Sequence, residues 1–199
     1  MEWLSGVAAN VVMVGMTLGN ILCPMLTKKF EKRNIFLSVR AIGLLILFLV
    51  VFAVKIENII LFIAAMMLQN TIQPIINGVG AGLGADIQDY HQWKYGERCD
   101  SVAGVFGWFT GPIGTAIGYI LPWILAQVGF TSDWGVLYDS AILNKVFNIY
   151  TWGTVLGVVF ATIPYFFYDL TKEKHDRCIR ELQKRLEAEE NTVAVSEEA

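Results

Sequence analysis

Residues 84–101 read GADIQDYHQWKYGERCDS, a run that sets Asp86, Asp89, Glu97 and Asp100 beside Lys94 and Arg98, with Tyr90, Trp93, Tyr95 and His91 among them. Long apolar, glycine-rich stretches lie on either side, in a chain of 199 residues that is 55% hydrophobic. A polar knot between two such stretches belongs where a membrane-crossing segment ends and charge meets water.

The composition supports that setting. Only 17% of residues are charged and the mean hydropathy is +0.51, which places the chain outside the soluble class. Crossing a hydrocarbon core as a helix takes about 20 mostly apolar residues. Five stretches qualify, at roughly 3–26, 35–54, 58–84, 101–126 and 146–168. The expected fold is all-α and polytopic, a transmembrane bundle over 1–169 followed by a cytoplasmic tail over 170–199. No basic region precedes the first apolar run and no small-residue cleavage site ends it, so a cleavable signal is not expected. A net charge of -3 argues against nucleic acid as a partner.

Basic residues give the orientation, because translocation disfavours Lys and Arg in short loops. Lys28, Lys29, Lys32 and Arg33 follow the first span, Lys94 and Arg98 the third, and Lys172, Lys174, Arg177, Arg180, Lys184 and Arg185 the fifth. The opposite side holds Lys55 and Lys145. The multi-pass chain is therefore expected in the cell membrane with its C-terminus in the cytoplasm. Cys23, Cys99 and Cys178 fall near cytoplasmic span ends and read as small buried hydrophobes rather than a disulfide set.

The second span, IFLSVRAIGLLILFLVVFAV, is apolar on every side except at Ser38 and Arg40, so it reads as peripheral and lipid-facing, with Arg40 snorkelling to the cytoplasmic interface. The third places Gln69, Gln73 and Asn77 four residues apart, with Asn70 beside them and Pro74 within. In lipid each amide needs a partner, so this row marks either a helix interface or an aqueous cavity. The fourth aligns Trp108, Gly111, Thr115 and Tyr119 and is interrupted by Pro112 and Pro122. Asn10, Thr17 and Asn20 share a face of the first. Glycine pairs four apart, Gly80/Gly84, Gly107/Gly111, Gly114/Gly118 and Gly153/Gly157, suggest close helix approach. The tail TKEKHDRCIRELQKRLEAEE reads as a short helix at the headgroups or a solvated one, ending in the acidic, frayed EAEENTVAVSEEA.

The knot, as A-D-x-x-D-Y-x-x-W-K-x-G-x-R over Ala85, Asp86, Asp89, Tyr90, Trp93, Lys94, Gly96 and Arg98, resembles the loop between helices ten and eleven of the glycoside-pentoside-hexuronide:cation symporters, the group of the major facilitator superfamily that includes melibiose permease. LGNILCPMLTKKFEKRN, with Gly19, Pro24, Lys28, Lys29, Phe30, Lys32 and Arg33, is similar to that family's junction between helices eight and nine. The resemblance implies that the five spans correspond to helices eight to twelve of a twelve-helix carrier, without helix seven and the N-terminal half. Two positions depart from the family: Pro112 stands where it usually has a lysine in helix eleven, and Asn77 lies near a family aromatic in helix ten.

The function this implies is the C-terminal part of a sugar or glycoside:cation symporter working by alternating access, with sodium or a proton as coupling cation. Gln69, Gln73, Asn77, Trp108, Thr115 and Tyr119, with Asn10 and Thr17, would bind substrate. Asp86, Asp89, Tyr90, Lys94 and Arg98 would form a cytoplasmic gate, the two acids pairing with the two bases. The partners would be a sugar, the lipid bilayer and the missing half. Lysolipid or other amphiphile transport, or a truncated module without transport, are the alternatives. His91 and His175 lie outside the spans without metal-ligand spacing, and both read as ordinary surface histidines; no enzyme, metal site or cofactor is expected.

Overall fold

The computed structural model describes the backbone of residues 2–98, 100–131 and 133–197, and the side chains of these residues except 2–5, 7–8, 100–107, 109, 134 and 189–197. In chain order the elements are α1 (Glu2–Lys29), α2 (Lys32–Lys55), α3 (Ile59–Tyr95), α4 (Asp100–Gln127), a 3-10 turn (Trp134–Tyr138), α5 (Ser140–Phe166) and α6 (Lys172–Glu197). Among the described residues there is no strand, in keeping with the all-α expectation. α1, α2, α3 and α5 each contain a segment long and apolar enough to cross a membrane. α4, 28 residues long, occupies the stretch expected as the fourth span.

α3 is the spine, with α1 and α2 packed along it, α5 against α2, and α6 against the far end of α3. At about 1.5 Å per residue its 37 residues reach about 55 Å, well beyond a hydrocarbon core of about 30 Å. The knot is therefore helix rather than loop as far as Tyr95. Gly96, at φ 83°, ends the helix in the left-handed conformation that glycine adopts without steric cost, and its N–H donates to the Gln92 carbonyl at 2.8 Å.

Apolar surface alone does not drive helices together in lipid, so backbone approach and side-chain fit must. α1 meets α3 through Gly15 and Gly19. A Cβ at Gly15 would lie 2.2 Å from the Met67 carbonyl oxygen, and one at Gly19 would lie 2.2 Å from that of Thr71. One turn on, Cys23 Sγ fits against Gly78, where an added Cβ would be 2.6 Å away, and Sγ lies 3.9 Å from the Ile75 carbonyl. The close approach is thus at a pair outside those the sequence suggested. Nothing stands within 4 Å of a Cβ built at Gly84, Gly111, Gly114, Gly118, Gly153 or Gly157. The side chain of position 107 lies outside the described residues.

α2 differs from the expectation too. One stripe, Ile35, Phe36, Val39, Gly43, Leu47, Val50 and Ala53, is buried, and its N-terminal part interlocks with Ile72, Ile75, Ile76, Val79 and Leu83 of α3. The other stripe, Ile42, Leu45, Phe48 and Phe52, is exposed as a lipid-facing surface would be. An all-apolar helix hides which side is packed, because both sides carry the same residue types.

The α2–α3 turn is tight. Ala53 and Val54 carbonyls accept from Asn58 and Glu57 N–H, Glu57 is left-handed at φ 55°, and the Asn58 side chain accepts from Leu61 N at 3.0 Å. α5 begins the same way, on Asp139, whose carboxylate accepts from Ala141 N at 2.8 Å. α4 stands apart: its described side chains from Gly111 to Trp123 are all exposed.

Replacing Gly19 by Leu should force α1 off α3 and lower stability by about 1–3 kcal/mol, the usual range for overpacking. Gly84→Ala, at an open position, should be neutral or slightly stabilising, since alanine is the better helix former. Thermal unfolding in detergent compares the two, and equal loss in both would refute the packing assignment.

Candidate functional site

The ion pairs among the described residues gather at one end of the bundle, where α1 ends, α2 begins, and α3 and α5 finish. Asp86, buried with its side chain 11% exposed, accepts both hydrogen bonds from Lys32 Nζ, at 2.7 and 2.8 Å. The stem of Lys32 lies across Gly82. Asp89, one helical turn on, faces Arg98 at 3.8 Å and His175 Nε2 at 3.1 Å, and the same His175 nitrogen is 3.5 Å from Asp86. Arg33 donates from Nε and Nη2 to the carbonyls of Tyr165 and Phe166, capping α5 where its last carbonyls lack helical donors. Phe36 stacks on Tyr165 with ring centres 3.9 Å apart.

α6 docks on the projecting end of α3 along one face of each helix. Trp93 Nε1 donates to Glu181 at 2.6 Å, Arg185 donates to the Trp93 carbonyl at 3.0 Å, and Cys178 is buried between. A cavity of about 120 Å³ remains among Thr27, Lys32, Leu83, Asp86, Tyr168 and His175. Burial, then the negative charge of Asp86, pushes the Tyr168 hydroxyl up to about 12. The Trp93 indole, followed by Arg177, holds Glu181 below its ordinary 4.5. Burial, with Glu181 adding, raises the Cys178 thiol.

Of the expected acid–base pairings inside the knot, the geometry has Asp89 facing Arg98 and corrects the other. Asp86 reaches across to α2 instead, while Lys94 lies over the Tyr95 ring at 5.3 Å and, among the described residues, has no ion pair. Tyr90 tilts against Trp93 at 5.6 Å. His175 is no ordinary surface histidine, its side chain being 19% exposed between two carboxylates. His91 lies where expected, at the surface end of α3, its Nδ1 3.2 Å from the Glu97 carbonyl. Lys32 and His175 carried a sequence signal that went unread: Asp86, Asp89 and Trp93 share one helical face, as do His175, Cys178 and Glu181 on α6. The tail is accordingly a docked helix, continuous to Glu197.

The membrane-depth polar residues are gathered only in part. Gln73 donates to Asn77 at 3.2 Å, and Gln69, whose Oε1 is buried without a partner, joins Gln73 and Arg40 around a recess of about 120 Å³ between α2, α3 and α5. Asn10 and Thr17 are exposed on α1 and donate to their own helix, to the carbonyls of Gly6 and Met13. Thr115 likewise donates to the Gly111 carbonyl. Trp108 and Tyr119 are 85% and 73% exposed on α4, a helix that does not pack extensively on α3.

Long apolar helices packed on small residues, with their ion pairs at one end, define a polytopic membrane protein. A family model described as MFS/sugar transport protein matches residues 4–172, and the chain belongs to that family, whose members are transporters rather than enzymes. A protein of Salmonella typhimurium named as a sulfoquinovose importer is 24% identical over 98% of the chain, and its counterpart in Escherichia coli K12 is 23% identical over 98%. The isoprimeverose transporter of Lactiplantibacillus pentosus is 27% identical over 60% of the chain. The chain spans about 40% of the length of the two importers it matches. No solved structure matches it significantly.

Because Glu181 is held below its ordinary 4.5, its contribution to docking is present above that pH and lost as pH falls through the lowered value. Protection of residues 172–188 from hydrogen exchange should therefore fall on acidification below the ordinary carboxylate range, and protection unchanged down to pH of about 2.5 would contradict the assignment.

Proposed function

We propose that this chain supplies helices eight to twelve of a sugar or glycoside:cation symporter that works by alternating access. The single observation that carries the proposal is the family match over residues 4–172, and relatives named for importing sulfoquinovose and isoprimeverose set the substrate class. A preceding helical half would supply the second surface against which this one rocks, together with the carboxylates that hold the cation, since no acid lies within the spans here. The cation is sodium or a proton, and Pro112 means that coupling proceeds without a helix-eleven ammonium.

In this reading Asn77 and Gln73 hydrogen-bond sugar hydroxyls from α3, Thr115 from α4, and Asn10 and Thr17 from α1. Trp108 and Tyr119 offer aromatic faces to the apolar side of a sugar ring, and their exposure is what side chains facing a cavity between two halves require. Gln69 backs the row from the recess. Asp86, Asp89, Tyr90, Lys94 and Arg98 close the cytoplasmic end, with Lys32 and His175 as the partners that must let go when it opens. The more exposed Asp89–Arg98 pair contributes only about 0–1 kcal/mol, which suits repeated opening, while the buried Asp86 must exchange one partner for another as the end opens.

In proteoliposomes holding this chain alone, labelled sulfoquinovose or isoprimeverose should not accumulate. With the first-half helices supplied, as one polypeptide or a co-expressed segment, uptake should appear and fall at least about tenfold in Asn77→Ala, the loss of about 1.4 kcal/mol of binding. Accumulation by the chain alone, or no uptake by the assembly, would refute the reading.

The cell membrane is the proposed location, with the ion-paired end and α6 in the cytoplasm. A cysteine placed at Asp133 should react with an impermeant thiol reagent from outside, and one at Lys29 should not; the reverse pattern would invert the topology.

A further inference from the structure

Arg40 is eight residues into α2, about 12 Å along the axis from Lys32, so it lies within the cytoplasmic half of the membrane. A guanidinium there needs an anion. Among the described residues it has none: Arg40 makes no hydrogen bond or ion pair, its Nε is buried without a partner, and its guanidinium rests over the Phe36 ring at 5.2 Å. The sequence offers no acid within any span to serve instead.

Beside Arg40 a groove of about 230 Å³ runs between α2 and α5, walled by Leu37, Ala41 and Leu44 on one side and Val158, Thr162 and Ile163 on the other. Among the described residues its only charged lining is Arg40. The flanking surfaces, Ile42 and Leu45 on α2 and Val159 and Phe160 on α5, are exposed and apolar, so the groove opens on the side that meets lipid tails. The guanidinium is folded back over Phe36, toward the basic end of the bundle and the headgroup layer. An apolar channel with one unneutralised cation at headgroup reach matches a molecule with an acyl chain and an anionic head.

We infer that the α2–α5 groove is a binding site for an anionic phospholipid, its phosphate on Arg40 and one acyl chain between Leu44 and Val158. The lipid supplies the counter-charge that the described residues do not. It also wedges α5 against α2 beside the Arg33 cap, tying the last span to the bundle. A zwitterionic lipid fits the groove but carries its own cation and neutralises Arg40 less well.

The test is native mass spectrometry of the delipidated 199-residue chain, titrated with dioleoyl phosphatidylglycerol or dioleoyl phosphatidylcholine. The anionic lipid should bind roughly fivefold more tightly, the preference expected of one basic residue near the headgroups. Arg40→Gln should equalise the two lipids, and Arg40→Lys should keep the preference. Ala41→Trp, which fills the groove and leaves the charge in place, should weaken both. Equal binding of the two lipids to the wild-type chain would overturn the inference. So would an unchanged preference in Arg40→Gln, unchanged binding in Ala41→Trp, or displacement of the lipid by inorganic phosphate alone.

Discussion

The carboxylate of Asp86 is where three elements are joined. It sits on α3, takes both its strong hydrogen bonds from Lys32 at the start of α2, and lies 3.5 Å from His175 on α6. A carboxylate so buried is stable only if it is compensated. That requirement fixes the position of the α1–α2 link, which delivers Lys32, and of the chain after α5, which delivers His175. Tyr168, with its hydroxyl buried and unpartnered beside this charge, keeps its proton to about pH 12. The rest of the bundle follows from holding α2 and α6 to the same helix at the same level.

Hydropathy made the membrane spans legible because the bilayer imposes one length and one composition on every crossing. It made little else legible. Gly15 and Gly19 have the same spacing as Gly153 and Gly157, yet only the first pair meets another backbone, since spacing says that a helix can be approached and not that it is. Asp86, Asp89, Lys94 and Arg98 lie close together in the chain, and their proximity suggested pairing with one another. A continuous helix through Tyr95 keeps Asp86 and Asp89 on one face and turns Lys94 away from them. Asp89 alone therefore meets a base of the knot, Arg98, and the other partners, Lys32 and His175, come from 54 and 86 positions away in sequence. The α3 amides read correctly as a row. What the row faces was not readable, because Gln69 and Gln73 share a recess with Arg40 from a helix whose packed side its sequence conceals.

Family membership and geometry bear on different questions. The match over residues 4–172 says what kind of machine these helices belong to. The structure says which joints within this portion are built by its own residues: backbone contact between α1 and α3, side-chain interlock between α2 and α3, and charge at the ion-paired end. α4 takes part in none of these among the described residues, and the substrate role proposed for Trp108, Thr115 and Tyr119 gives that helix its place.

The turn between α2 and α3 spans residues 56–58 and uses three backbone hydrogen bonds, a left-handed Glu57 and the Asn58 cap. Such a turn leaves no slack. α2 and α3 behave as the two arms of a pair of tweezers, stiff at this end and held at the tips by Lys32 and Asp86. Any relative movement of the arms must therefore be widest at the tips and vanish at the hinge, so a rearrangement that separates them acts on one face of the membrane and leaves the other undisturbed.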